Sequence, residues 1–268
     1  MTDLPIGATA IPNRLGTTMS WDGDDLVTHL TPMPSTMVAG ALRASAGVFL
    51  VDVAAGIQVD TDPEAWTFTS DLSLRLPAAP APRRVDARTT VLRGGRRSVT
   101  ADVALTDETG APWGWSTLGF TRVPRRPDDP AKPEVRADEL AAVWARIPLL
   151  EEPLREAADV RVLDPSRGEA EVDVRPDLTN PAGALQGAMV ALLIEIAAEE
   201  LASHHAGAPR IVTELDLRFL GQGRVGPVRS RAWSIGRPED EVLRVELRDG
   251  GADGKLLTTA LVRTRPLP

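Results

Sequence analysis

The chain of 268 residues has no cysteine and no tyrosine, and only three histidines: His29, His204 and His205. The first absence excludes a disulfide framework, a cysteine nucleophile and a thiolate metal site, and the second removes the phenol as a proton donor. Two of the three histidines are adjacent, which leaves nothing from which to build a histidine-rich metal cage or a metalloprotease helix, so no metal is expected. Lysine is scarce as well, with Lys132 and Lys255 the only two. Chemistry must come from carboxylates, hydroxyls, amides and backbone groups.

Net positive charge is also missing. Thirty basic against thirty-eight acidic side chains give −8, and the pI is near 5.0. A general nucleic-acid or anionic-membrane surface needs a basic face, so neither partner is expected. The opening segment, MTDLPIGATAIPNRLG, lacks a basic stretch followed by an apolar run and does not read as a signal peptide. The longest apolar stretches, such as 188–198, are too short to span a bilayer and contain Glu195. The expectation is a soluble cytoplasmic protein with room for one large or two small domains.

What is present is a repeat. Gly40-Ala41-Leu42 recurs as Gly183-Ala184-Leu185, and Asp71-Leu72-Ser73-Leu74-Arg75-Leu76 as Glu214-Leu215-Asp216-Leu217-Arg218-Phe219, both at an offset of 143. Ser116-Thr117-Leu118 lies over Thr258-Thr259-Ala260 with the offset changed by one, as a loop-length difference would cause. Between the halves, PRRPDDPAKP (124–133) reads as an extended linker.

Each half shows the same order of elements. Short alternating strands at 24–31 and 168–175 precede apolar helices at 38–55 and 184–201. Strands then follow at 66–76, 84–92, 98–106 and 113–123 in the first half, and at 211–220, 226–235, 241–248 and 255–265 in the second. One long helix followed by an antiparallel meander is an α+β pattern with the helix buried against a curved sheet. Both helices are apolar on all sides, which marks them as buried.

A single carboxylate interrupts each helix, Asp52 in the first and Glu195 at the equivalent place in the second. An ionised carboxylate inside an apolar helix is costly unless paired, solvated or used. One such acid reads as a position turned toward solvent. Its recurrence in a diverged repeat leaves that reading and a functional one both open. Before the second helix, Asn180 and Gln186 offer side-chain amides, and Gly187 allows close approach to backbone N–H groups where the helix dipole favours negative charge. These could form a hole for an oxyanion, or simply a loop and a helix cap.

Asn-x-x-Gly-x-x-(His or Gln)-Gly, followed nine residues after the His or Gln by an acid in an apolar helix, resembles the signature of hotdog-fold acyl-CoA thioesterases of the phenylacetyl-CoA and 4-hydroxybenzoyl-CoA type. Here it stands as Asn180, Gly183, Gln186, Gly187 and Glu195. The strand Thr213 to Leu220 and its Gly-rich turn are similar to that family's as well, and the resemblance covers the chain in two copies. It implies a double hotdog, each unit a long central helix wrapped by a curved antiparallel sheet. The N-terminal hotdog would span 1–123, the linker 124–137 and the C-terminal hotdog 138–268.

The resemblance further implies a thioester hydrolase, an acyl-CoA thioesterase releasing free acid and thiol. Coenzyme A would enter only as part of the substrate, with no cofactor. Paired hotdogs of that family share sites at their interface, one unit supplying the oxyanion hole and its partner the acid. The fused chain would be an intramolecular pseudo-dimer, with a further homodimer left open. Its working site would combine Asn180, Gln186 and Gly187 with Asp52, and with Ser70 positioning water or Asp52. Glu195 and Thr213 would face Met37, Arg43 and Ala44, a start that lacks the Asn, the amide and the glycine. They are the alternative catalytic pair.

Other signals are weaker. Gly221-Gln222-Gly223-Arg224-Val225-Gly226 matches a dinucleotide fingerprint, yet a strand follows where a helix must. There is no G-x-S-x-G. His204-His205 suits a solvated helix end. Arg93, Arg96, Arg97, Arg122, Arg125 and Arg126 could meet coenzyme A phosphates or be solvated charges, and Trp113 and Trp115 fit packing better than an acyl channel. A non-catalytic acyl-thioester binding module is the competing function. A hotdog hydratase or dehydratase ranks lower, because neither helix carries a histidine.

Overall fold

The computed structural model describes residues 9–125, 132 and 136–268. The first half runs β1 (Thr17–Asp22), β2 (Asp25–Leu30), β3 (Met37–Val38), β4 (Ala41–Leu42), α1 (Ala44–Val59), β5 (Ala65–Arg75), β6 (Val85–Gly94), β7 (Ser98–Asp107) and β8 (Pro112–Pro124). Two short helices, α2 (Ala137–Trp144) and α3 (Leu154–Ala157), begin the second. It continues as β9 (Arg161–Asp164), β10 (Glu169–Val172), α4 (Gly187–Ala206), β11 (Arg210–Phe219), β12 (Val228–Ser234), β13 (Val242–Asp249) and β14 (Lys255–Pro266).

Neither α2 nor α3 was expected. Asp138 and Glu139 in the first turn of α2 are its only strong start signal. The helices α1 and α4 begin later than their apolar runs, because the residues before them form short extended pieces and a loop. Most of the linker, 126–131 and 133–135, lies outside the described residues, as does Arg126. Lys132 is tied to the first half, its Nζ donating to Asp60 Oδ1 at 2.6 Å, Asp62 O at 2.7 Å and Ala65 O at 2.8 Å.

Among the described residues, twelve strands form one antiparallel sheet in the order β1-β2-β6-β7-β8-β5-β11-β14-β13-β12-β10-β9. The second half of that order mirrors the first, and the halves join where β5 pairs with β11. Ser73 pairs there with Asp216, its own counterpart in the repeat, so a local pseudo-twofold axis passes between them. Leu72, Leu74, Leu215 and Leu217 alternate inward from this seam and are fully buried.

Helices α1 and α4 pack against each other on the inner face of the sheet. Their burial explains the all-round apolar sequence: Val48, Phe49, Leu50 and Val51 on one, and Leu192, Leu193, Ile194 and Ile196 on the other, are lost to solvent. The α4 end is set by Gly207, which adopts the left-handed conformation (φ 64°) that glycine allows at a helix terminus. His204 and His205 occupy its last turn.

Candidate active site

The packing of α1 beside α4 brings the start of each helix to the acid of the other. Asp52 lies two turns into α1. A Cβ placed on Gly187 would stand 3.8 Å from Asp52 Oδ2 and 3.7 Å from Phe219 Cζ, so the carboxylate looks onto the first residue of α4 across a space that glycine keeps open. The Gly187 amide has no hydrogen-bond partner among the described residues. The next amide, of Ala188, is taken by Gln186 Oε1 at 2.6 Å. That bond leaves the Gln186 NH₂ as a donor with no partner among the described residues.

Asp52 is half-buried and held from the sheet side by Thr69, whose hydroxyl donates to Oδ1 at 2.6 Å. Burial pushes its carboxyl above the usual range, and the Thr69 hydrogen bond pulls the other way without cancelling that rise. A desolvated carboxylate that is oriented but not paired with a cation is suited to taking a proton.

Ser70 is placed differently from expectation. Its hydroxyl donates to Asp71 Oδ2 at 2.8 Å, not toward Asp52. The register of β5 against β8 slips between Thr69 and Asp71, and this bulge turns the side chain one residue earlier toward the helix. The same slip recurs in β11 between Val212 and Glu214, at the equivalent repeat position. Strict alternation counted back from Leu72 and Leu74 selects Ser70; only the bulge reveals Thr69.

Asn180 also serves locally. Its Oδ1 accepts from the Ala182 amide at 3.0 Å and the Ala184 amide at 3.2 Å, shaping the turn that delivers the chain to α4. Gly183 sits in that turn at φ 72°, a conformation that favours glycine.

The other helix start is closed. Glu195, fully buried, accepts from the Ala44 amide at 2.8 Å, the Ser45 amide at 3.2 Å and the Ser45 hydroxyl at 2.6 Å. Arg43 Nη1 approaches Glu195 at 3.8 Å and Glu199 at 3.5 Å. Thr213 is buried with its hydroxyl unpartnered, and Met37 is half-buried in β3. The expected alternative pair is thus split: Glu195 is bound to backbone and Thr213 does not donate to it.

Several of the remaining signals have structural partners. Amides of Arg224, Val225 and Gly226 in the Gly-rich loop all donate to the Asp249 carboxylate, and a strand follows. Arg122 donates to Gly95 O and Val59 O, and Arg125 to Pro63 O. Arg93, Arg96 and Arg97 are exposed, Trp113 packs on the core and Trp115 is exposed. Surface grooves of about 560, 320 and 270 Å³ lie away from this site, lined by residues such as Arg229, Trp233 and Arg218. Among the described residues no group of acids and histidines is arranged to hold a metal ion, and no helix is long and apolar enough to cross a membrane.

No family model and no curated relative matches the chain. Solved structures do. A protein of unknown function with a hot dog fold from Alicyclobacillus acidocaldarius aligns over 94% of this chain and 97% of its own, with TM-score 0.54 and 16% identity. The chain has the hotdog fold. Other structural neighbours include an acyl-ACP thioesterase from Bacteroides thetaiotaomicron, covering 89% of this chain and 97% of its own (TM-score 0.55, 13% identity), and the 12:0-ACP thioesterase from Umbellularia californica, covering 92% and 99% (TM-score 0.58, 11% identity). At such identities the hotdog likeness extends to the fold, and the chemistry has to be argued from the residues of the site.

Proposed function

We propose that this protein is a double hotdog, with units at 1–123 and 138–268, that hydrolyses acyl-CoA thioesters at one composite site between them. The observation that carries this is the open start of α4: an unpartnered Gly187 N–H close to the Thr69–Asp52 pair, with the Gln186 side chain capping the same helix start. The thioester carbonyl oxygen would lodge on the Gly187 N–H and the Gln186 NH₂, where negative charge develops as the carbonyl is attacked. Asp52, oriented by Thr69, would take a proton from water as its oxygen bonds to the carbonyl carbon. The thiolate then leaves and is protonated, giving free acid and thiol. Asn180 supports the site by shaping the turn. The thioesterases among the fold's neighbours agree with this chemistry.

The test is thiol release from a panel of acyl-CoAs. Asp52→Asn is expected to lower kcat by about 10²–10⁴, the range for a lost general base. Glu195→Gln is expected to keep kcat within a few-fold. A wild type that binds acyl-CoA but releases no thiol would favour a binding module and end the hydrolase reading. Activity lost in Glu195→Gln alone would move the site to the other helix start.

A further inference from the structure

A second set of hydrogen bonds on the outer face of the sheet is not used by the thioester chemistry. Ser20 on β1, His29 on β2 and Asp86 on β6 come from three adjacent strands at the sheet's edge. His29 pairs directly with Asp86 across β2 and β6, and Ser20 lies diagonally across β1 and β2. The residues alternating with them, Leu26, Thr28, Leu30, Val85 and Ala87, are buried, so the three point away from α1. Ser20 Oγ stands 2.7 Å from His29 Nε2, and His29 Nδ1 stands 2.7 Å from Asp86 Oδ1.

The direction of these bonds follows from Asp86. Burial pushes its carboxyl up, but hydrogen bonds from Arg84 and His29 outweigh that and hold it below the usual range. Arg84 engages both oxygens, at 2.7 and 2.8 Å. An ionised carboxylate only accepts, so Nδ1 carries a proton, and in the neutral imidazole Nε2 is then the acceptor for the Ser20 hydroxyl. Exposure is graded to match: Ser20 is open to solvent, while the His29 and Asp86 side chains keep 17% and 15%.

A backbone amide next to Ser20 is turned to the edge of the sheet. Thr31 N donates to Gly16 O at 3.1 Å and the hairpin closes on the pair Asp22 and Asp25, so even-numbered amides of β1 point into the ladder and odd-numbered ones toward the open edge. The Trp21 N–H, next to Ser20, is therefore on the free side. No sequence motif marks this group, because its members are nine and fifty-seven residues apart and meet only through strand order.

We propose that Ser20, His29 and Asp86 form a nucleophilic centre separate from Asp52 that hydrolyses activated esters of short carboxylic acids. Ser20 Oγ bonds to the acyl carbon as its proton passes to His29 Nε2. The ester C–O bond breaks, and the leaving alcohol takes the proton. Water, deprotonated by the same nitrogen, then attacks the acyl-serine and releases the acid, returning the proton to Ser20. Only Ser20 of the three is exposed, and Val27, its partner on β2 and on the same face, is buried, so the proposed substrates are small acyl groups with good leaving groups.

The test treats wild-type protein with a fluorophosphonate and follows 4-nitrophenol release from 4-nitrophenyl acetate. One adduct is expected, mapped to Ser20 by peptide mass, and nitrophenol release should fall about 10²-fold or more in Ser20→Ala and in His29→Gln. A titration within the wild type asks the same without any substitution: one adduct per chain should abolish release. An adduct elsewhere, no adduct, or nitrophenol release that survives Ser20→Ala or full labelling overturns the proposal.

Discussion

At the start of α1 the Ala44 amide is bonded to Glu195 at 2.8 Å, whereas at the start of α4 the Gly187 amide has no partner among the described residues. The two places are repeats of one another, and each faces an acid from the other half. Arg43, Ala44 and Ser45 stand where Gln186, Gly187 and Ala188 stand in the second copy. Glutamate is one methylene longer than aspartate, and Ser45 adds a hydroxyl at 2.6 Å, so Glu195 reaches and fills its helix start. Asp52 is held back by Thr69 and stops short. The same geometry thus yields an internal bond between halves in one copy and an unpartnered helix-start amide in the other.

Glu195→Ala breaks the comparison on the closed side. It would leave the Ala44 amide and Ser45 buried without their acceptor and Arg43 with Glu199 alone, and a loss of about 3 kcal/mol or more in unfolding free energy is expected, with kcat per folded molecule little changed. Chemical denaturation and thiol release measured on the same sample separate the two effects. Gly187→Ala breaks it on the open side. Its methyl would meet Phe219 and Asp52 only at ordinary contact distances, 3.7 and 3.8 Å, so the fold should hold while the carbonyl is displaced. A loss of about 10² in kcat, with the melting temperature nearly unchanged, is the expected result.

Much of this was readable in the chain. Alternation at Asp71–Leu76 and Glu214–Phe219 placed the two seam strands, the all-round apolar helices announced their burial, and the offset of 143 aligned the two acids. What alternation could not see were departures from period two and contacts between distant strands. The bulges that drop Ser70 and Thr213 out of register belong to the backbone, and they hand the Asp52 contact to Thr69. Whether an acid fills a helix start depends on side-chain length and on the capping groups opposite, which a shared position in a repeat does not reveal. Ser20, His29 and Asp86 meet only because β2 lies between β1 and β6.

Thr69→Val sharpens the open side. Removing the hydroxyl takes away the one interaction that lowers the Asp52 pKa, so burial alone would act on it and the carboxyl should rise further. The acid limb of the kcat/KM profile is expected to move to higher pH, with about a tenfold lower rate below it. Ser70→Ala, by contrast, removes a hydrogen bond to Asp71 and should leave the profile in place. Equal effects from the two substitutions would remove the role given to the bulge.

The last effect is a pH dependence and should come from Glu199, one turn beyond Glu195 on the closed side. Burial and the nearby Glu195 push its carboxyl up to about 8, with Arg43 and the Val212 amide pulling it down. A group whose folded pKa is raised holds its proton more tightly in the native state, so its contribution is fully present below the ordinary value of 4.5 and is lost as pH rises through about 8. Over that window the slope for one proton is at most about 1.4 kcal/mol per pH unit. Denaturation of the wild type between pH 5 and pH 8 (about 4.5 to 8 being the window in which the proton is retained only by the native state) should therefore show a decline that Glu199→Gln flattens. The open side has no second acid beside Asp52, since Gly56 stands at the position equivalent to Glu199. A decline that persists in Glu199→Gln would place its source outside the closed helix start.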